Sequence, residues 1–374
     1  MPVTRRNLLS QSAIGLAGLT LLSGRSSFTR AANDRARFID GLGFPGGVSL
    51  EENSPLMDVE VQDIRKSGLV ATHLTVGTVG NMAPLQAFEQ VVRHIARMEA
   101  DIRRHPETLA SIRSGGDIET AASAGQTGLI YGLQDGVSFE DDLGRLDALH
   151  HLGVRIVQPT YNRRNLLGDG CLEPANAGLS KTGSEAIEKL QALGILVDLS
   201  HCGRRTAADA IALARGPISF THTGCNALVE HPRHRTDAEL RAIADSGGVN
   251  GIFIMPYLSR GKQPTAMDVI RHLEHAVEVS GEDHVGIGSD GAISPTAVTE
   301  EFKASFREIT RMRREHGIAA PYETEEGYLF ASDLNTPDRF RTLADLLAER
   351  GHSQSRIDKL LGGNFLRLFQ EVWG

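Results

Sequence analysis

Three segments in the second half of the chain end in residues that can hold a metal ion or move a proton. Each segment is an apolar run rich in β-branched residues, and the three runs end at or next to His201, His222 and Asp290. Two imidazoles on neighbouring strands can share one divalent ion, and Zn²⁺ is the metal that such ligands favour. A buried carboxyl group beside that ion can carry a proton. A structural role is the alternative for each histidine, but matched strand ends favour the metal site.

Short buried strands with polar ends are typical of a (β/α)₈ barrel, whose chemistry lies at the C-terminal ends of the strands. Apolar runs predict eight strands, at 37–42, 69–76, 127–133, 154–160, 195–200, 217–222, 248–255 and 284–289. Helical spacing fills the gaps between them, at 55–67, 84–103, 140–152, 183–193, 204–215, 237–246 and 266–279. This alternation predicts an α/β fold with a closed parallel sheet. An open doubly wound sheet is less favoured, because no Gly-rich phosphate-binding turn follows the first strand.

Composition excludes some classes of partner. The chain has 374 residues and a net charge of −8, so a broad basic surface for nucleic acid is not expected. Its length suits one large barrel domain.

The basic run at 311–317 is interpreted as a solvated helix face. Cys171, Cys202 and Cys225 are interpreted as small packed side chains rather than as a disulfide or metal site.

Residues 1–32 have the layout of a Tat-type signal peptide. Arg5 and Arg6 form a twin arginine, and Leu8 to Gly24 is an apolar stretch diluted by Gly and Ala. This layout predicts a periplasmic or secreted protein whose mature form has no membrane span. An uncleaved membrane anchor is the alternative.

The folded domain is expected over 33–374. Within it, 292–334 is longer than a usual connection and is predicted to be an insertion that forms a lid or a subunit contact. The last part, 335–374, is predicted to consist of C-terminal helices at 337–350, 353–361 and 363–371.

Several segments resemble the membrane dipeptidase family, peptidase family M19. They are GVRIVQPTYNRRNLLGDGCLEPANAGLSKTG at 153–183, VDLSHCGRRT, FTHTGCNAL, HPRHRTD at 231–237, GEDHVGIGSDG and KLLGGNFLRLF at 359–369. The resemblance is dense over 125–374 and loose over 36–124. It implies a (β/α)₈ TIM barrel of the metal-dependent hydrolase type that cleaves dipeptides with two zinc ions.

The resemblance also implies roles for individual residues. His201 and His222 match ligands of the second zinc. Arg233 matches the arginine that holds the substrate, and Asp290 matches the acidic residue that handles the proton. An Arg fork suits a carboxylate or an oxyanion. The family also suggests a homodimer.

Four positions depart from the family pattern. Leu42 and Phe44 stand where the family has a His and an Asp that bind the first zinc, and Gln134 stands at the bridging glutamate. Tyr161 takes the place of a fourth family histidine. Two dications without a bridging anion repel strongly. We therefore expect at most one metal, on His201 and His222, with Gln134 as a weak third ligand or a water-orienting group.

The residues Tyr161 and Asn162, after the fourth strand, are expected to contact a dipeptide-like substrate together with Arg233. The leading hypothesis is an exported metallohydrolase that cleaves dipeptides or similar small amides with one Zn²⁺. The first alternative is a non-catalytic barrel that binds a small peptide. The second is a metal-dependent amidohydrolase or lyase acting on another small molecule.

Overall fold

The structure is a computed structural model, and it describes residues 37–46, 54–80 and 82–374. The predicted signal peptide therefore lies outside the described residues. The chain from Ala36 to Gly374 forms one compact unit. Among the helices described, none has both the length and the apolar character needed to cross a membrane.

Each of the eight predicted runs overlaps a strand, and β8 extends three residues beyond its run. The barrel strands are β1 (Phe38–Asp40), β3 (Leu69–Thr75), β5 (Thr127–Leu133), β6 (Val154–Val157), β7 (Leu196–Val197), β8 (Phe220–Cys225), β10 (Asn250–Ile252) and β11 (Val285–Ile287). Short accessory strands are β2 (Gly43–Phe44), β4 (Leu109–Ser111), β9 (His234–Arg235) and β12 (Gly291–Ala292).

The helices follow the predicted spacing. They are α1 (Asp58–Ser67), α2 (Pro84–Arg104), α3 (Gly115–Ser123), α4 (Arg145–His151), α5 (Lys181–Ala192), α6 (Arg204–Leu213), α7 (Asp237–Asp245), α8 (Ala266–Ser280), α9 (Glu300–Glu315), α10 (Arg339–Glu349), α11 (Gln354–Asp358) and α12 (Asn364–Trp373). A π-helical turn, Lys359–Gly363, joins the last two. Helix α9 lies within the predicted insertion, and α3 was not predicted.

The parallel strands close into a barrel, as predicted. One sheet has the order β1-β3-β5-β6-β7, and another has β11-β10-β8-β9. Backbone hydrogen bonds join the two sheets at both seams. Leu199 N donates to Ser219 O at 2.8 Å between β7 and β8, and Gly41 N donates to Ile287 O at 2.8 Å between β1 and β11. The C-terminal strand ends therefore lie around one rim, as the chemistry of the site requires.

A phenylalanine from the C-terminal helix plugs the interior of the barrel. Phe365 is fully buried in an apolar cluster with the strand residues Ile39 and Ile130. A methyl group placed on Gly41 or Gly286 would meet its ring. These strands therefore need glycine where the ring approaches their backbone. The plug closes one end of the barrel, and the polar residues of the other end form the site.

We predict that Phe365→Ala lowers the free energy of unfolding by about 3–5 kcal/mol, because it leaves a large cavity that rigid strands cannot fill. Chemical denaturation followed by circular dichroism measures this loss. Leu166→Ala is the control: its side chain is 58% exposed, and its cost should stay within about 0.5 kcal/mol. A similar small cost for both variants would contradict the role of the plug.

Candidate active site

The structure brings His201 and His222 together at the rim of the barrel. His222 lies on β8, and His201 lies in the turn after β7. Their ring centroids are 5.1 Å apart, and both side chains are buried. The two rings therefore lie side by side, as their positions at matched strand ends predicted.

A hydrogen-bond chain fixes the protonation of the His222 ring. Thr221 Oγ1 donates to Asp198 Oδ2 at 2.5 Å, because the carboxylate only accepts. The hydroxyl oxygen then accepts from His222 Nδ1 at 2.8 Å. The proton of the neutral ring is thus on Nδ1, and Nε2 keeps its lone pair. A partner that fixes the tautomer in this way is typical of metal-binding histidines.

The fully buried Asp198 accepts hydrogen bonds from groups on both sides of its strand. Its Oδ1 accepts from Ser200 Oγ at 2.5 Å, and from the main-chain nitrogens of Ser200 and Thr221 at 3.0 Å each. Gln158 Nε2 donates to Oδ2 at 2.8 Å. Sequence reasoning missed this residue, although it lies within the VDLSH motif that identified His201.

Asn162 orients the ring of His201. Its Oδ1 is 2.6 Å from His201 Nδ1, and its Nδ2 donates to Ile318 O at 2.8 Å. This places the His201 proton on Nδ1. Its Nε2 is buried and has no hydrogen-bond partner. Tyr161 stacks on the same ring at 4.0 Å between centroids. Both polar atoms of Asn162 therefore bind protein groups, and its direct contact with substrate remains a prediction.

The surroundings of both imidazoles favour the neutral form. Burial, followed by the positive charge of Arg233, holds the pKa of His201 and of His222 well below the ordinary histidine value. A neutral imidazole with a free Nε2 lone pair is the form that binds a metal ion.

Gln134 lies next to His222, and Asp290 lies close to Gln134 and Arg233. Asp290 has a left-handed backbone, with φ of 54°, and its N–H donates to Leu42 O at 2.8 Å. Burial raises the pKa of its carboxyl group to about 6, against the lowering effects of Arg233 and of a hydrogen bond from Gln134. The Gln134 amide nitrogen is 3.4 Å from His222 Nε2. A carboxyl group with a pKa near neutrality can both accept and release a proton.

Arg233 lies beneath the site and is 1% exposed. Its guanidinium donates to Ser200 O, and to His222 O at 3.4 Å. These bonds hold a positive charge close to both histidines and to Asp290. The role of Arg233 as a substrate anchor remains a prediction.

The 292–334 region supports the site through Arg313 of α9. This guanidinium binds the Glu323 carboxylate through two bonds, of 2.8 and 3.0 Å, and also bonds the Tyr161 side chain. Tyr257 donates to the same carboxylate at 2.8 Å. The interpretation of the basic run as a solvated face is therefore wrong for Arg313, because its partners Tyr161 and Glu323 lie toward the barrel. One half-buried residue in a charged helical run leaves no sequence signal.

Two other aspartates, Asp40 and Asp135, are buried and accept hydrogen bonds from protein groups. Asp40 accepts from Ser289 Oγ at 2.5 Å and Ser289 N at 2.7 Å. Asp135 accepts from Gly80 N and from Asn165 Nδ2, at 3.0 Å each. Both carboxylate oxygens of Asp135 are therefore bound by protein donors, and the side chain is buried.

The donors of the site fit one metal ion better than two. The Nε2 atom of His201 has no hydrogen-bond partner, and its ring lies beside that of His222. At the places of the first zinc ligands, Leu42 is fully buried, and neither Leu42 nor Phe44 has an atom that can coordinate a metal. Gln134 lacks the charge of a bridging carboxylate. Over the described ranges, no three His, Cys, Asp or Glu side chains are grouped so that they could hold a metal. A single ion would therefore depend on the two imidazoles and on neutral ligands.

We predict that ¹⁵N NMR of metal-free protein shows protonated Nδ1 and unprotonated Nε2 in both His201 and His222. Thr221→Val removes the hydroxyl group that fixes His222, so this ring should lose its single tautomer while His201 keeps its own. Thr221→Ser retains the hydroxyl group and is the matched control. Protonated Nε2 in the wild-type protein would contradict the assignment.

Comparison with known proteins identifies the family of this chain. The model for the membrane dipeptidase family, peptidase family M19, matches residues 36–306. Dipeptidase verJ from Clonostachys rogersoniana is 26% identical over 292 residues, which cover 78% of this chain and 67% of verJ.

Solved structures show the same fold. An amidohydrolase from Pseudomonas aeruginosa is 30% identical, with a TM-score of 0.78 and coverage of 92% of this chain and 99% of its own. A metallopeptidase from Rhodobacter sphaeroides, liganded with a phosphinate mimic of L-Ala-D-Ala, is 18% identical, with a TM-score of 0.73 and coverage of 90% and 99%. The chain belongs to the membrane dipeptidase family, peptidase family M19, a family of metal-dependent hydrolases.

Proposed function

We propose that this protein hydrolyses a dipeptide or a similarly small amide, with a single Zn²⁺ held between His201 and His222. The observation that carries the proposal is the convergence of two neutral imidazoles with their Nδ1 protons bound elsewhere. An ion held there supplies Lewis-acid polarisation and activates water at neutral pH.

Gln134 fits the role of an accessory ligand. Its amide nitrogen now faces the lone pair of His222 and bonds the Asp290 carboxylate. Both neighbours are acceptors, which explains why the amide nitrogen faces them. A flip of the amide would offer the carbonyl oxygen to a bound ion. As a neutral ligand, it would leave the ion more weakly held than a glutamate would.

The other residues have distinct tasks. Asp290 receives the proton of the attacking water and passes it to the leaving amine, which its raised pKa suits. Arg233 supplies fixed positive charge near the amide and anchors the substrate. Tyr161 contacts the substrate beside His201, on which it stacks. Asn162 keeps the His201 ring in place.

A non-catalytic barrel that binds small peptides is the second candidate. The observation that favours it is the apolar pair Leu42 and Phe44 at the places of two metal ligands. An amidohydrolase or lyase acting on another small molecule is the third, and mass spectrometry of the products separates it from the first. The homodimer suggested by the family remains a prediction.

The first test combines metal analysis with turnover. Protein purified without added zinc should contain close to one metal per chain and should lose dipeptide hydrolysis on chelation. His201→Ala and His222→Ala should each lower metal content and reduce kcat/KM at least 100-fold, because each removes one of two imidazole ligands.

The control variant is His151→Ala, whose exposed ring lies on α4, and it should change neither value. Hydrolysis that survives both chelation and His201→Ala would refute the metallohydrolase proposal. Peptide binding in calorimetry with no turnover across a dipeptide panel would favour the binding barrel instead.

We further propose that the protein is exported through the Tat pathway, on the basis of the layout of residues 1–32. Replacing Arg5 and Arg6 by Lys should leave the full-length precursor in the cytoplasm, because the pathway recognises the arginine pair. Cell fractionation and immunoblotting measure this, with Arg30→Lys as the control. Normal export of the double variant would reject the proposal.

A further inference from the structure

An apolar cavity opens beside Asp290. It has a volume of about 530 Å³ and is lined by Phe44, by the α9 side chains Phe302, Phe306 and Ile309, and by Leu329 and Phe330. Pockets of roughly 300–1,000 Å³ are large enough to bury drug-sized ligands. Asp290 is part of the wall, so an occupant would be next to the proposed proton carrier.

A second cavity lies beside the first and is lined in part by Gln134. It has a volume of about 420 Å³, and the two share the wall residues Phe44, Leu74, Thr75, Arg97 and Met98. Gln134 bonds Asp290 and approaches His222. The two cavities thus have Asp290 and Gln134 in their walls.

The apolar wall includes one of the positions at which metal ligands are missing. Phe44 lines both cavities. Its ring is 36% exposed and is therefore accessible to an occupant of either cavity. The substitution that removes a metal ligand therefore also creates apolar surface at the site.

The charged side chains at the margin of the cavity have protein partners. Arg339 donates to the main-chain oxygens of Ala292, Ile293 and Thr336. Arg97 donates to Ser54 O and lies near the carboxyl groups of Asp101 and Glu60. These bonds pair Arg339 and Arg97 with protein groups. We therefore expect the cavity to bind apolar groups rather than ions.

We infer that the cavity binds a bulky apolar group, such as an aromatic side chain, on one side of the scissile amide. This inference rests on the proposed function, whose substrate class it specifies. The preferred substrate is therefore a dipeptide-like amide with a large apolar residue rather than one with two small residues. Transfer of such a group from water into an apolar pocket favours binding by tenfold or more relative to alanine.

The test compares Phe-Ala, Ala-Phe and Ala-Ala as substrates. The wild-type kcat/KM for at least one Phe-containing dipeptide should exceed that for Ala-Ala at least tenfold. Ile309→Asn places an amide in the cavity wall and should reduce this preference below threefold without changing the Ala-Ala value. Thr296→Trp, which fills the cavity from another wall residue, should act in the same direction.

Met312→Asn is the matched control, because it lies on the same helix, is 47% exposed and does not line the cavity. It should preserve the preference, and thermal melting verifies the fold of each variant. Equal use of the three dipeptides, or a preference unchanged in both cavity variants, would overturn the inference while leaving the proposed hydrolysis intact.

If no dipeptide is hydrolysed, the proposed function fails, and calorimetry tests the cavity separately. Binding of a Phe-containing dipeptide that is at least tenfold tighter than that of Ala-Ala, and is weakened by Ile309→Asn but not by Met312→Asn, would support the cavity as a binding site. Absence of that difference would overturn it.

Discussion

The site depends on one buried carboxylate and the bonds that surround it. Asp198 is fully buried and accepts from Gln158, Ser200 and Thr221, which follow or belong to three neighbouring strands. A buried charge is tolerated only when such donors surround it. Its bond to Thr221 determines which nitrogen of His222 carries the proton. The same group therefore ties the strands together and prepares the ring to bind a cation.

The two histidines are held by different elements that converge on one rim. His222 depends on the strand network of Asp198, whereas His201 depends on Asn162, whose amide also bonds Ile318 of the 292–334 region. Arg313 and Glu323 of that region also hold Tyr161 against His201. The region thus acts as a structural part of the site, and its contacts couple the outer helix α9 to the orientation of a proposed ligand.

Sequence reasoning predicted the barrel and the histidine pair because both depend on repeated local patterns. Apolar runs with polar ends locate buried strands, and parallel strands must bring their ends to one rim. Asp198, Arg313 and the burial of Asp135 were not predicted, because each depends on partners that are distant in the chain. Asp135, for example, becomes buried only when Gly80 and Asn165 supply donors. The cavity beside Phe44 also forms from separate segments, which no local pattern reveals.

Phe44, which by resemblance stands at a metal-ligand position of the family, lines the apolar cavity beside Asp290. We propose that a single ion lies between two imidazoles. Anomalous diffraction at the zinc edge from crystals of zinc-loaded protein tests this proposal. We expect one peak, within bonding distance of Nε2 of both His201 and His222, at roughly 2.0–2.1 Å. Two peaks in the barrel mouth, or a peak that neither ring contacts, would contradict it.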